Sequence, residues 1–188
     1  MRALRGLAIA FLQAGAAAAA DDLTVDAFRR GAAVEVIARA TLHAPQELVW
    51  RTLTDYDQLA SFIPGMLKSR VIERRGPAAI VEQFGEVRFL FFRFPIEVTL
   101  SSVELPPDVI EVRVLKGNLR RLEGGYRIER GAAPDSLVLH WRGLIQPDAP
   151  LPPLLEEVIM RANIEDQFAG MVREIERRQA ERVPQDGR

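Results

Sequence analysis

The sequence predicts an α+β domain in which an antiparallel sheet packs against one long C-terminal helix. Between residues 71 and 145, apolar and polar side chains alternate with the period of β-strands. Turn-forming residues separate these runs about every 8–12 residues. From Leu154 to Arg182 the period changes to that of an amphipathic α-helix. A series of consecutive strands followed by a helix is typical of α+β folds.

Composition and charge narrow the classes of function. The 188 residues are 48% hydrophobic and 27% charged, which is typical of one globular domain with a sizeable core. The net charge of −1 argues against a basic nucleic-acid-binding surface. The chain has no cysteine and only two histidines, His43 and His140. Disulfide scaffolds, thiol catalysis and Cys-ligated zinc are therefore excluded, and we expect neither a metal nor a cofactor.

The first 20 residues are typical of a secretory signal peptide. Arg2 and Arg5 precede a short apolar run that ends in small residues. Cleavage would leave 23 basic and 26 acidic residues, a net charge of −3, and would indicate a periplasmic or secreted bacterial protein. A disordered Ala-rich leader and an uncleaved amphipathic anchor are the alternatives. The predicted division is a signal peptide at 1–20, an N-terminal extension at 21–31, the domain at 32–182 and a disordered tail at 183–188.

The domain is expected to begin with a strand and two short helices. Residues 34–42 alternate as a half-buried strand. Pro45 suits the first turn of a helix that continues to about Thr54. Asp57 is a good N-cap for a second short helix that ends near Ile63.

Six further strands are predicted before the C-terminal helix. The run 88–100 contains Pro95, which requires an edge position or a bulge. It also places aromatic residues of the segment Phe89–Phe94 on both faces of one strand, so one face needs cover. Residues 21–31 could supply that cover, and a partner protein, a membrane or a ligand portal is the alternative. The predicted strands are 71–75, 80–87, 88–100, 110–114, 122–128 and 137–145.

Three segments carry a resemblance to a known family: ATLHAPQELVWRTLTDYDQLASFIPGMLKSRV (40–71), LRRLEGGYRIE (119–129) and LPPLLEEVIMRANIEDQFAGMVREIERR (151–178). They resemble the START-like (SRPBCC) superfamily, in particular its polyketide cyclase/dehydrase and lipid-transport branch. That branch includes the coenzyme-Q-binding proteins and a ribosome-association toxin. The resemblance implies a helix-grip fold, a curved antiparallel sheet of six to seven strands wrapped around the long C-terminal helix.

Such a fold leaves space for an apolar ligand where the facing side chains do not fill it. The resemblance also implies that the loop 62–67 gates this space. Each candidate can instead be an ordinary core residue, and the small residues Gly85, Gly124, Gly143 and Ala162 argue weakly for unfilled space. The candidate ligand-binding residues are Phe84, Leu90, Phe92, Phe94, Val112, Tyr126, Leu139 and Trp141 from the sheet, Val158, Ile159, Ala162 and Phe168 from the helix, and Phe62 and Ile63 from the loop.

Polar candidates are few. Glu82 and Glu86 share a strand face with Phe84, so one of them could point inward and pair with an arginine, Arg113 or Arg142. Asn163 is a candidate inward hydrogen-bonding group on the long helix. His140 is expected to face solvent, and Asp55 and Asp57 are expected to serve as helix caps or turn formers.

The function that demands least of these residues is non-enzymatic binding or transport of a hydrophobic small molecule, such as a lipid, an isoprenoid or a quinone. A polyketide cyclase or dehydratase is the alternative, and it would need Glu82, Glu86 or Tyr126 to reach the cavity. A protein-interaction module like the toxin is the third reading. The expected partner is a hydrophobic ligand, with no nucleic acid, and with transient membrane or protein contact through Phe89–Phe94 as a further candidate.

Overall fold

The computed structural model describes residues 22–89, 92–148 and 153–182. The predicted signal peptide at 1–20 and the predicted tail at 183–188 lie outside the described residues. So do Leu90 and Phe91 and the side chains of Phe89 and Phe92.

The fold is one antiparallel sheet of eight strands with a long helix against its inner face, as predicted for a helix-grip fold. Along the sheet the strands follow the order β1-β2-β8-β7-β6-β5-β4-β3. The strands are β1 Thr24–Arg30, β2 Ala33–Leu42, β3 Met66–Arg75, β4 Ala78–Phe89, β5 Phe92–Leu105, β6 Val109–Gly117, β7 Leu119–Arg130 and β8 Leu137–Pro147, and the helices are α1 Gln46–Leu53, α2 Leu59–Phe62 and α3 Pro153–Arg182, with a 3₁₀ turn at Tyr56–Gln58.

The strand that the prediction lacked is β1, which lies within residues 21–31, the predicted N-terminal extension. Thr24–Arg30 pairs with β2 along its whole length, with Val25 opposite Ala38. Arg161 of α3 donates its Nε to the carbonyl oxygen of Val25 at 2.9 Å. The sequence signal was weak because Val25 alone is fully buried in this strand, so the apolar alternation that identifies a strand is almost absent.

The predicted strand 88–100 is also wrong at its start. β4 ends at Phe89 and β5 begins at Phe92, and these two residues pair with each other. Phe89 and Phe92–Phe94 therefore belong to two paired strands rather than to one strand. β1, which holds most of residues 21–31, is separated from β5, the nearer of these two strands, by four other strands in the order of the sheet. The membrane or protein contact through Phe89–Phe94 stays a prediction.

Pro95 is accommodated where β5 extends past β6. The last pair between these strands joins Val98 to Gly117, so Pro95 has no β6 partner. The side chain of Asn118 takes over the ladder there: its Nδ2 donates to the Pro95 carbonyl at 2.7 Å, and its Oδ1 accepts from the Glu97 N–H at 3.0 Å.

The short helices connect β2, the second strand from one edge of the sheet, to β3, which forms the other edge. α1 buries Leu48, Val49 and Leu53. Asp57 is not the N-cap that the sequence predicted, because it lies inside the 3₁₀ turn. Its Oδ1 accepts instead from the backbone N–H of Val71 at 2.8 Å and so joins the turn to β3.

The long helix α3 packs on β1, β2 and α1. Its most buried side chains on this side include Phe168, Val172 and Ile175, each 2% exposed or less. Across the described part of the chain, no helix has both the length and the apolar character that a bilayer-spanning segment requires.

Candidate functional site

A cavity of about 210 Å³ lies between the inner face of the sheet and α3. Its walls are mostly apolar and come from both layers and from the segment between α1 and β3. Alternate residues of β5, β6 and β7 face it, which is the periodicity of the inner side of a sheet. These residues are Ile96, Val98, Leu100 and Ser102 of β5, Ile110 and Val112 of β6, and Leu122, Gly124 and Tyr126 of β7.

Small residues across the centre of the sheet leave the space open. Val112 of β6 pairs with Gly124 of β7, and Gly124 pairs with Gly143 of β8. A Cβ on Gly124 would lie 2.1 Å from the carbonyl oxygen of Arg142, so the two strands approach too closely for any side chain there. A Cβ on Gly143 would lie 2.2 Å from Cη2 of Trp141, because the indole lies over that glycine. Trp141 therefore forms part of the cavity wall beside the glycine pair.

The helix presents a different face to the cavity than the one predicted. The lining residues of α3 are Met160, Asn163, Ile164, Gln167 and Met171. All four helix residues predicted from the sequence lie elsewhere: Val158 and Ala162 are exposed, and Ile159 and Phe168 are buried in the core against the rest of the domain. The helix carries two neighbouring apolar stripes, and periodicity does not say which of them borders the empty space.

The predicted sheet and loop residues divide between the cavity and the core. Phe62 and Phe94 are half-buried against the core, and Leu139 is completely buried in it. Leu90 and the side chain of Phe92 lie outside the described residues. The predicted residues that line the cavity are Ile63, Phe84, Val112, Tyr126 and Trp141.

Phe84 and Glu86 border the cavity, yet their side chains have contacts on the outer face of the sheet. The ammonium group of Lys68 lies 5.1 Å from the Phe84 ring centroid. The Glu86 carboxylate pairs with Arg88 of the same strand and the same face. The shared face with Phe84 was identified correctly from the sequence, but it is the outer face.

Neither glutamate has the arginine partner that was proposed from the sequence. Glu82 accepts from Nε of Arg70 at 2.9 Å. Arg142 pairs instead with Glu35. Because both glutamates pair with arginines of nearby strand positions, their carboxylates do not act as free groups inside the cavity.

Apart from Glu86, whose carboxylate pairs with Arg88, the described polar side chains on the cavity wall carry no formal charge. Asn163 lies on the wall as predicted, and its Oδ1 accepts from Nε2 of Gln167 at 3.1 Å. Burial raises the pKa of Tyr126 to about 12, so its hydroxyl stays protonated at neutral pH. Within residues 22–89, 92–148 and 153–182 no cluster of His, Cys, Asp and Glu side chains could hold a metal ion. The walls can orient a ligand through neutral hydrogen bonds.

A charged network holds the 3₁₀ turn and α2 against α3. Arg178 donates from Nη2 to Oδ2 of Asp55 at 3.0 Å and from Nε to Oε1 of Glu174 at 2.6 Å. Its guanidinium also lies 5.5 Å from the Phe62 ring centroid. This network fixes the segment that carries Tyr56, Leu59 and Ile63 to the cavity wall.

The network should make stability depend on pH. Hydrogen bonds from Arg177 and then Arg178 lower the pKa of Glu174 from its ordinary 4.5, although burial opposes them. A lowered folded-state pKa means that the stabilisation is complete above about pH 4.5 and is lost as the pH falls through the folded-state value. We expect Glu174→Gln to lower Tm by about 2 °C at neutral pH and to lose less stability on acidification than the wild type.

Thermal unfolding from neutral to acidic pH measures this difference. Glu181→Gln is the matched control, because Glu181 pairs with the same Arg177 but is mostly exposed. Equal acid-induced losses in the wild type and in Glu174→Gln would contradict the assignment.

Comparison with known proteins identifies relatives of this architecture. A family model described as polyketide cyclase / dehydrase and lipid transport matches residues 42–172. No curated protein sequence matches the chain.

Solved structures share the fold at low sequence identity. The Zhui aromatase/cyclase of Streptomyces sp. R1128 is 19% identical, with a TM-score of 0.65 over 81% of this chain and 97% of that one. A STAR-related lipid transfer protein of Xanthomonas axonopodis is 13% identical, with a TM-score of 0.64 over 81% of this chain and 93% of that one. A START superfamily protein of Mycobacterium smegmatis is 14% identical, with a TM-score of 0.62 over 76% of this chain and 97% of that one. At these identities the likeness concerns the fold alone.

Proposed function

The chain belongs to the polyketide cyclase/dehydrase and lipid transport family, and we propose that it binds and carries a hydrophobic small molecule in the cavity between the sheet and α3. The observation that carries this proposal is the apolar cavity itself, with its volume of about 210 Å³. Apolar cavities with a few placed polar groups are the usual sites for small ligands, and this one lies below their common range of roughly 300–1,000 Å³. A slender molecule such as a single-chain lipid, a short isoprenoid or a small quinone suits that volume.

The polar groups on the walls support binding rather than chemistry. Asn163 and Gln167 bond to each other, which orients amides but supplies neither a general acid nor a general base near neutral pH. The raised pKa of Tyr126 makes that phenol a weak proton donor. The alternative activity is cyclisation of a polyketide-like substrate. It would depend on Tyr126, because the other two predicted catalytic candidates, Glu82 and Glu86, lie on the outer face of β4.

Native mass spectrometry of the full chain purified from a bacterial host tests the proposal. Organic extraction would then identify any molecule that is released. An apolar compound retained at nearly one equivalent supports the carrier function, and a protein that is free of ligand and takes up no hydrophobic probe on titration contradicts it. If the extracted compound is converted to a cyclised product by the protein, the enzyme alternative replaces the carrier.

The proposed location of this activity is the periplasm or the extracellular medium, and the signal-peptide pattern of residues 1–20 is its only support. N-terminal sequencing of the protein recovered from a periplasmic fraction checks it. A chain that begins at Asp21 and is enriched in that fraction is the expected result, and an intact N-terminus in the cytoplasm would contradict it.

A further inference from the structure

The hydroxyl of Tyr56 is a buried polar group that no well-formed hydrogen bond within the described part of the chain satisfies, although Ser102 and the carboxylate of Glu104 lie close enough to interact with it. The residue belongs to the 3₁₀ turn, its side chain lines the cavity and it is only 5% exposed. Among the described residues, no well-formed hydrogen bond reaches its hydroxyl oxygen. Buried hydroxyls are almost always hydrogen-bonded, so an incompletely bonded hydroxyl on a cavity wall is available to a polar group of a bound molecule.

Ser102 lies beside this hydroxyl on the inner face of β5. It is 3% exposed and lines the same cavity. Through the strand register, Ser102 pairs with Val112, which pairs with Gly124. Across the sheet, Ser102 is therefore two strands away from Gly124, the residue without a side chain at the centre of the cavity wall. A ligand in that space can reach both hydroxyls.

The charges around Tyr56 disfavour an anion. Burial, and then the nearby carboxylate of Glu104, raise the pKa of Tyr56 well above its usual range, so the phenol is neutral and can donate. Glu104 is itself paired with Arg74 at 2.8 Å, and the Arg74 guanidinium lies 5.9 Å from the Tyr56 ring centroid. No Lys, Arg or His side chain belongs to the described cavity lining. An ionised ligand group would therefore lose its hydration without gaining a counter-charge.

On the basis of the proposed function, we propose that Tyr56 and Ser102 form a polar subsite for the hydroxyl or carbonyl group of an otherwise apolar, uncharged ligand. The cavity selects such molecules over ionised lipids of the same chain length.

Three probes of matched length test the subsite: 1-decanol, undecane and decanoate, each measured by displacement of an uncharged fluorescent probe at neutral pH. We expect the wild type to bind the alcohol about five-fold more tightly than the hydrocarbon, the effect of one neutral hydrogen bond. Decanoate should bind at least about ten-fold more weakly than the alcohol. Tyr56→Phe should remove the preference for the alcohol and leave undecane binding unchanged.

Ser61→Ala is the matched control, because it removes a hydroxyl from the adjacent helix α2 that bonds to the carbonyl of Gln58 outside the cavity. An equal affinity for alcohol and hydrocarbon in the wild type would overturn the subsite and leave the carrier function in place. The same holds if decanoate binds as well as decanol, or if Tyr56→Phe keeps the full preference. Failure of the wild type to bind any of the three probes would overturn the carrier function and the subsite together.

Discussion

Replacing Ile164 by tryptophan is expected to weaken ligand binding strongly while the fold stays intact. Ile164 lies on the cavity face of α3, and the larger indole would extend into a space of about 210 Å³. Isoleucine and tryptophan have similar helix propensities, so the helix itself is not weakened. Filling an existing void removes no packing contact and can be neutral or slightly stabilising.

We expect at least about a ten-fold loss of affinity for any molecule held between sheet and helix, about 1.4 kcal/mol or more of binding free energy. Titration of the purified variant with the extracted ligand, together with a thermal melt, measures both quantities. The matched control is Val158→Trp on the same helix, where the side chain is 51% exposed. Unchanged affinity in Ile164→Trp, or equal losses in the two variants, would show that the ligand binds somewhere else.

Phe168→Ala is expected to have the opposite profile, a large loss of stability with no direct loss of a ligand contact. Phe168 is 2% exposed and is the largest of the fully buried side chains. It does not line the cavity. Truncating a buried phenylalanine costs about 3–5 kcal/mol, which is the lost transfer free energy plus the cost of the new void. For a domain of this size, Tm should fall by roughly 10 °C or more.

Denaturant and thermal unfolding measure this loss, and ligand affinity is compared at a temperature where the variant is fully folded. Leu155→Ala is the control, because that residue lies on the same helix at 37% exposure and should cost well under half as much. A Phe168→Ala variant that is nearly as stable as the wild type but binds ligand poorly would contradict this expectation and would show that Phe168 contacts the ligand. Together the two pairs of variants separate the apolar stripe that holds the fold from the one that borders the ligand.

Sequence periodicity could not distinguish the apolar stripe of α3 that packs in the core from the one that borders the cavity. Ile159 and Met160 are adjacent in sequence and both are buried, yet only Met160 lines the cavity. A pattern of apolar residues at helical spacing reports that a face is covered. It does not report whether the cover is another side chain or an unfilled space.

The edges of the sheet show the same limit. β2 and the inner faces of β5 to β8 were predictable because their side chains alternate strongly. β1 was not, because an edge strand that buries little has little alternation. The hairpin between β4 and β5 was misplaced because a continuous aromatic run conceals where one strand ends and the next begins.

The sequence by itself determined the α+β class, the long C-terminal helix, the two short helices after the first predicted strand and the resemblance to a lipid-transport family. These features depend on local periodicity, turn-forming residues and the order of segments, all of which can be read from the sequence. The tertiary structure alone decided which face of β4 is inner, which stripe of α3 meets the cavity and that the Tyr56 hydroxyl lies near Ser102 without a well-formed hydrogen bond among the described residues. Those outcomes depend on how strand register, the close approach at Gly124 and the packing of α3 divide the interior between side chains and empty space, which no local pattern encodes.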